Sequence, residues 1–169
     1  DKVLAMDLDM TIDTDENIFD IPIGDVAMVH EQGVHEFQKS WMAKTMDAPL
    51  EERGIIAYGK KIFGPDWKFP KSKMYPTEKY RYMNGGVQVW SREGRLKARE
   101  NFTCVHDYTI WTRMTEQPFV NLQLSQPIFN VTELCTMWNR LPPHWAFKFP
   151  DGKINHYLGP SGKRMLEQM

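Results

Sequence analysis

Four consecutive apolar residues, Val3-Leu4-Ala5-Met6, run directly into Asp7-Leu8-Asp9. A short run that is apolar at every position suits a strand covered on both faces, as in a parallel or mixed sheet. Polar groups at the carboxyl end of such a strand sit where open α/β sheets hold ligands. On a strand, residues i and i+2 point the same way, with Cα atoms about 6.5 Å apart. Two carboxylates so placed reach one hard divalent cation, and magnesium or manganese suits carboxylate and phosphate oxygens. Residues 13–20, with Asp13, Asp15, Glu16 and Asp20, follow as an acidic loop.

The rest of the chain alternates strands and helices, which predicts an α/β fold: a mixed, mostly parallel central sheet flanked by helices. A helix is expected from Asp25 to Met46, where Val34, Phe37 and Trp41 fall at helical spacing before Pro49. From Gly54 to Arg81 glycine, proline, lysine and aromatics predict a long irregular excursion. Its basic groups, Lys60, Lys61, Lys68, Lys71, Lys73, Lys79 and Arg81, read as a solvated loop. Tyr82–Gly86 reads as a turn feeding a strand through Trp90, and Arg92–Phe102 as a helix. Thr115 is expected to cap a further helix through Ser125, with Pro118 in its first turn. Pro127–Val131 and Lys153–Leu158 complete the strands. Most of the Trp, Tyr and Met side chains are expected in the core, with Trp67, Tyr75 and Tyr80 as exceptions free to stack on a sugar.

Composition closes off several classes. The 169 residues amount to one domain, and 21 basic against 22 acidic residues leave a net charge of -1. Nucleic-acid binding, which rests on positive excess, is not expected. Cys104 and Cys135 are too few for a disulfide framework or a zinc site. No apolar run approaches the roughly 18 residues of a membrane span, and no signal peptide opens the chain, which favours the cytoplasm. The first residue is Asp1 rather than Met, and a strand begins at once. That predicts either a single domain over 1–169 or the C-terminal portion of a longer catalytic domain. His30 and His35 nearly spell a zinc protease motif, but five residues turn a helix by about 140°, so they cannot share a metal from one face.

An Asp-x-Asp serves two chemistries. Asp7-Leu8-Asp9-Met10-Thr11-Ile12 resembles the opening signature of haloacid dehalogenase-type phosphatases, with Asp7 as nucleophile, Asp9 as acid/base and Ser91 as a second motif. Met10 replaces that superfamily's usual small residue, and no later strand ends in paired acids for magnesium. The second chemistry is nucleotide-sugar transfer, and here further segments line up in order. Asn84-Gly85-Gly86-Val87, then Glu116-Gln117 with Asn121, Asn139-Arg140-Leu141-Pro142 with His144-Trp145-Ala146-Phe147, and Ile154-Asn155-His156-Tyr157-Leu158-Gly159 with Lys163 resemble the ordered motifs of family-8-type glycosyltransferases of the GT-A fold.

The resemblance implies a metal-dependent enzyme that moves a hexose from a nucleoside-diphosphate sugar to an acceptor hydroxyl, with retention and without a covalent intermediate. It implies Mn2+ or Mg2+ held by Asp7, Asp9 and His156, with Lys163 on the diphosphate. Asn84, Gly85 and Gly86 would line the sugar pocket, and Glu116 and Gln117 would address the donor sugar near its reactive carbon. The acceptor is unidentified and is expected at the Gly54–Arg81 excursion. Such enzymes place a nucleotide-binding βαβ portion before the Asp-x-Asp, so an upstream segment or a second chain would complete the fold. A non-catalytic remnant that binds a partner is the remaining reading.

Overall fold

The computed structural model describes residues 1–30, 54–74, 80–102, 117–140 and 151–157. Strands β1 (Lys2–Met6), β3 (Val26–His30), β4 (Met83–Ser91) and β5 (Val131–Leu134) form a sheet of order β1-β4-β3-β5. Strands β2 (Met10–Ile12) and β6 (Ile154–His156) form a separate antiparallel pair, Met10 opposite His156. Helices α1 (Gly54–Phe63), α2 (Arg92–Asn101) and α3 (Gln117–Gln123) complete the described elements, with short 3-10 turns at Ile18–Asp20 and Thr136–Asn139. The class is mixed α/β. Among the described strands β4 runs antiparallel to both β1 and β3, and only β3 with β5 is parallel.

β3 corrects the start of the helix expected over Asp25–Met46; residues 31–46 lie outside the described residues. Val26, Ala27, Met28 and Val29 are fully buried, and they divide by parity. Ala27 and Val29 pack with Val87, Val89, Leu134, Trp138 and Ile154, while Val26 and Met28 pack with Met83, Val120, Leu124 and Phe129 on the other side. An apolar run serves as a strand here because both sheet faces are covered. Val34, Phe37 and Trp41, which suggested the helix, lie outside the described residues. β1 differs the other way. It ends the row of described strands, Leu4 and Met6 pack inward, and Val3 is 45% exposed.

The excursion is also more regular than expected, because α1 occupies its first ten residues. Gly59 does not break this helix; it admits the Trp67 indole, whose ring atoms would lie 2.1–2.6 Å from any Cβ there. Trp67 packs near Phe63 and Phe69, and Tyr80 meets Phe69 edge-on. Both therefore belong to an aromatic cluster with Ile55 and Leu122 rather than standing free for a sugar; Tyr75 lies outside the described residues. The exposed Lys60, Lys61, Lys68, Lys71 and Lys73 fit the solvated reading. Glu133 ties down the end of this segment by accepting from the Ser72 hydroxyl and the Lys73 backbone N–H.

Two polar side chains set the position of β4. Ser91 Oγ accepts from Gly94 N–H at 3.0 Å and so caps α2. Asn121, on α3, is buried. Its Oδ1 accepts from Met83 N–H at 2.7 Å and its Nδ2 donates to Met83 O at 2.8 Å. A side-chain amide thus stands in for a neighbouring strand at the start of β4, satisfying backbone groups that would be costly to bury unpaired. β5 begins at Val131, where the expected strand ended, because Gln126–Phe129 turns on itself. Cys135 is a free thiol, and no described helix is long and apolar enough to cross a membrane.

Candidate metal centre

Asp7 and Asp9 do not lie on one continuous strand, as the spacing argument assumed. They occupy the bend between β1, in the large sheet, and β2, in the small one. Each acid is held by a different neighbour. Asp7 N–H donates to Gly86 O on β4 at 3.0 Å, and Tyr157 N–H, just past β6, donates to Asp9 O at 2.8 Å. The two carboxylates converge because the bend is fastened to both sheets. Leu8, between them, is fully exposed.

His156 completes the cluster. It ends β6, its ring is 2% exposed, and its Nε2 lies 3.4 Å from Asp7 Oδ2 and 3.3 Å from Asp9 Oδ1. One ligand atom from each of the three residues falls within 4.8 Å of the others. Nε2 is buried and has no well-aligned hydrogen-bond partner. A buried ring nitrogen aimed at two carboxylate oxygens is a donor set that wants a cation, and this is the observation on which the metal fit rests. Burial lowers the His156 pKa below its ordinary value, and the nearby Asp9 and Asp7 carboxylates pull the other way. In its neutral form the imidazole offers the Nε2 lone pair to a metal.

That shift fixes a pH dependence. A proton and a divalent cation compete for Nε2, and the lowered pKa delays the proton to more acidic solution. Mn2+ affinity is expected to stay level down through the ordinary histidine range, about 6.5, and to weaken only below it. Calorimetric Mn2+ titrations over a pH series check this. A decline that begins above that range would contradict it.

The other face of the ring is also held. His156 Nδ1 lies 3.1 Å from Asn139 Oδ1, Asn139 Nδ2 donates to Asn84 Oδ1 at 2.6 Å, and Gly86 N–H donates to the same Asn84 oxygen at 2.7 Å. Segment 139–140 lies alongside β6, with Arg140 N–H donating to Ile154 O and His156 N–H to Arg140 O, both at 2.8 Å. Gly86 packs directly on the ring; a Cβ there would lie 2.7 Å from His156 Cε1 and 2.8 Å from Nδ1. Gly85 N–H donates to Gln117 Oε1 at 2.9 Å.

The structure thus brings Asp7, Asp9, His156, Asn84, Gly85, Gly86 and Gln117 into one neighbourhood. Glu116 and Lys163 lie outside the described residues. Asn139 is the residue that sequence reasoning left without a role; the resembling segment contained it, but nothing in its spacing marked it as a partner of His156.

No family model matches the chain, and no curated protein does. Among solved structures the chain is similar to the apo form of WbbM, a bifunctional glycosyltransferase, with TM-score 0.56 and 19% identity, covering 94% of this chain and 29% of that one. It is also similar to the galactosyltransferase LgtC in complex with donor and acceptor sugar analogs, with TM-score 0.51 and 18% identity, covering 99% of this chain and 60% of that one. The chain therefore spans less than two thirds of either neighbour. At these identities the likeness is one of fold: the chain has the mixed α/β fold seen in part of these glycosyltransferases.

Proposed function

We propose that the chain carries the metal-binding part of a glycosyltransferase that moves a hexose from a nucleoside-diphosphate sugar to an acceptor hydroxyl, with retention. Asp7, Asp9 and His156 would hold Mn2+ or Mg2+. The observation that carries the reading is the buried Nε2 of His156 facing both carboxylates, within a fold shared with glycosyltransferases. Bound there, the cation supplies neutralisation of the charge that gathers on a departing diphosphate. Two carboxylates and one imidazole leave open positions for phosphate oxygens.

The chain's own groups have distinct tasks in this scheme. Asp7 and Asp9 set the negative charge of the site and His156 adds a neutral ligand. Gly85 and Gly86, with Asn84, form the wall against the donor sugar, where missing Cβ atoms permit close approach. Gln117, joined to Gly85 through its Oε1, borders that wall, and Glu116 precedes it. Lys163 would add a positive charge at the diphosphate and share in stabilising the leaving group. An upstream segment or a second chain would supply the contacts to the base.

The test is binding of a nucleoside-diphosphate hexose, followed by calorimetry with Mn2+ and then with excess EDTA. Mn2+-dependent binding that EDTA reverses supports the reading; equal binding in EDTA defeats it. An aryl phosphate serves as the counter-probe. Turnover that survives His156→Ala but not Asp7→Asn would instead make Asp7 a phosphatase nucleophile.

A further inference from the structure

We infer that Asn139, itself oriented by Asn84, is a positioning residue that locks His156 in the tautomer with its proton on Nδ1, so that the Nε2 lone pair points at the Asp7–Asp9 pair. The inference rests on the metal reading for its purpose, but its geometry stands without a metal.

The assignment begins at a group whose identity is not in question. The Gly86 backbone N–H can only donate, and it donates to the Asn84 side chain at 2.7 Å. The Asn84 atom it meets is therefore the carbonyl oxygen, which settles that amide's orientation. The same oxygen lies 2.6 Å from the Asn139 amide, so the Asn139 group facing it is the NH2. The Asn139 carbonyl oxygen is thereby turned the other way, onto His156 Nδ1 at 3.1 Å. An oxygen with no proton can only accept, so Nδ1 carries the hydrogen. In the neutral ring Nε2 is then the unprotonated nitrogen.

Each member of this relay is buried: Asn84 is 6%, Asn139 1% and His156 2% exposed. Water is therefore a poor substitute for any link, and reversing the Asn139 amide would set its oxygen against that of Asn84. The other tautomer costs one buried mismatched contact, either Nδ1 against Asn139 Oδ1 or, with that amide reversed, Asn139 Oδ1 against Asn84 Oδ1. Metal-bound histidines are commonly oriented by a partner on the second ring nitrogen. Here that partner is an amide, and the amide is set by the strand that also carries Gly86 against the ring.

The experiment reads the ring directly. The 15N shifts of His156 in the metal-free protein, at about pH 8 and so above the ordinary histidine range, are expected to show a protonated Nδ1 and an unprotonated Nε2. A protonated Nε2 overturns the inference. In Asn139→Leu the Nδ1 preference is expected to be lost and Mn2+ affinity to fall about 10–100-fold. Loss of stability with the tautomer unchanged would show a merely structural residue and would also overturn it. Asn84→Asp, which keeps an acceptor for both Gly86 and Asn139, is expected to retain the Nδ1 tautomer; should Asn139→Leu fail to fold, the unaltered protein and Asn84→Asp still decide. If Nδ1 is protonated in the unaltered protein yet Mn2+ does not bind, the metal reading fails and the tautomer assignment stands.

Discussion

Replacing Asp9 with alanine is expected to reduce Mn2+ affinity by at least about 100-fold while leaving the metal-free protein folded. Losses of second-layer partners alone cost about 10–100-fold at metal sites, and Asp9 is in the first layer, so the upper end is the lower bound. The fold is spared for a specific reason. The hydrogen bond that pins this part of the bend runs from Tyr157 N–H to the backbone oxygen of Asp9, which alanine keeps. The lost carboxylate also relieves repulsion with Asp7, since their oxygens share the small cluster with His156 Nε2. At free Mn2+ of about 100 times Kd, linkage stabilises the unaltered protein by about 2.7 kcal/mol. For a chain of this size that is roughly 5–10 °C in Tm. At the same concentration a 100-fold weaker site yields only about 0.4 kcal/mol. Thermal melts with and without Mn2+ therefore separate the two proteins, and an equal Mn2+-induced rise in both would remove Asp9 from the site. His156→Ala should lose the Mn2+ response as well, but less cleanly. It deletes a buried ring and leaves Asn139 Oδ1 without its partner, costing roughly 1–3 kcal/mol before any metal is added.

Those two variants also mark how far the sequence is legible. Asp7 and Asp9 are recognisable because an acidic pair follows an apolar run, and His156 because its segment resembles a glycosyltransferase motif. What brings them together is not legible. The convergence depends on Asp7 meeting Gly86 and Asp9 meeting Tyr157, pairings between residues remote in the chain that no local spacing encodes. The same limit explains β3. Val26–Val29 is too short for periodicity to separate a buried strand from a helix, and the decision belongs to β4 and β5 on either side. At α1 the error lay in reading glycine as a breaker, whereas Gly59 is small because Trp67 lies on it. Asn139 is the most instructive. Its importance comes from being aimed between Asn84 and His156, and one amide among aromatic and basic neighbours carries no sign of that aim.

Gly86→Ala is expected to be the most damaging single-methyl change near the site, and the reason is space rather than backbone conformation. Among the described glycines only Gly64 has a positive φ, 101°, so the Gly86 backbone accepts an L-residue. The new Cβ would meet Met10 Cε at 2.5 Å and the His156 ring at 2.7 and 2.8 Å. These two contacts differ in what can yield. Met10 Cε is the free end of a flexible side chain and can turn away at little cost. The imidazole cannot, because Asn139 holds Nδ1 and the pairing of β6 with β2 holds its backbone. The ring is therefore driven from its place opposite the carboxylates. Overpacking of this kind costs about 1–3 kcal/mol, and the displaced ligand should lower Mn2+ affinity by about tenfold or more. Calorimetric titration of three variants isolates the cause. Met10→Ala alone should bind Mn2+ much as the unaltered protein does, and Gly86→Ala should bind weakly. The double variant should bind as weakly as Gly86→Ala, because removing Met10 Cε leaves the clash with the ring in place. Recovery in the double variant would mean that Met10, not His156, had been the immovable neighbour, and the rigid ring on which the site depends would be lost with it.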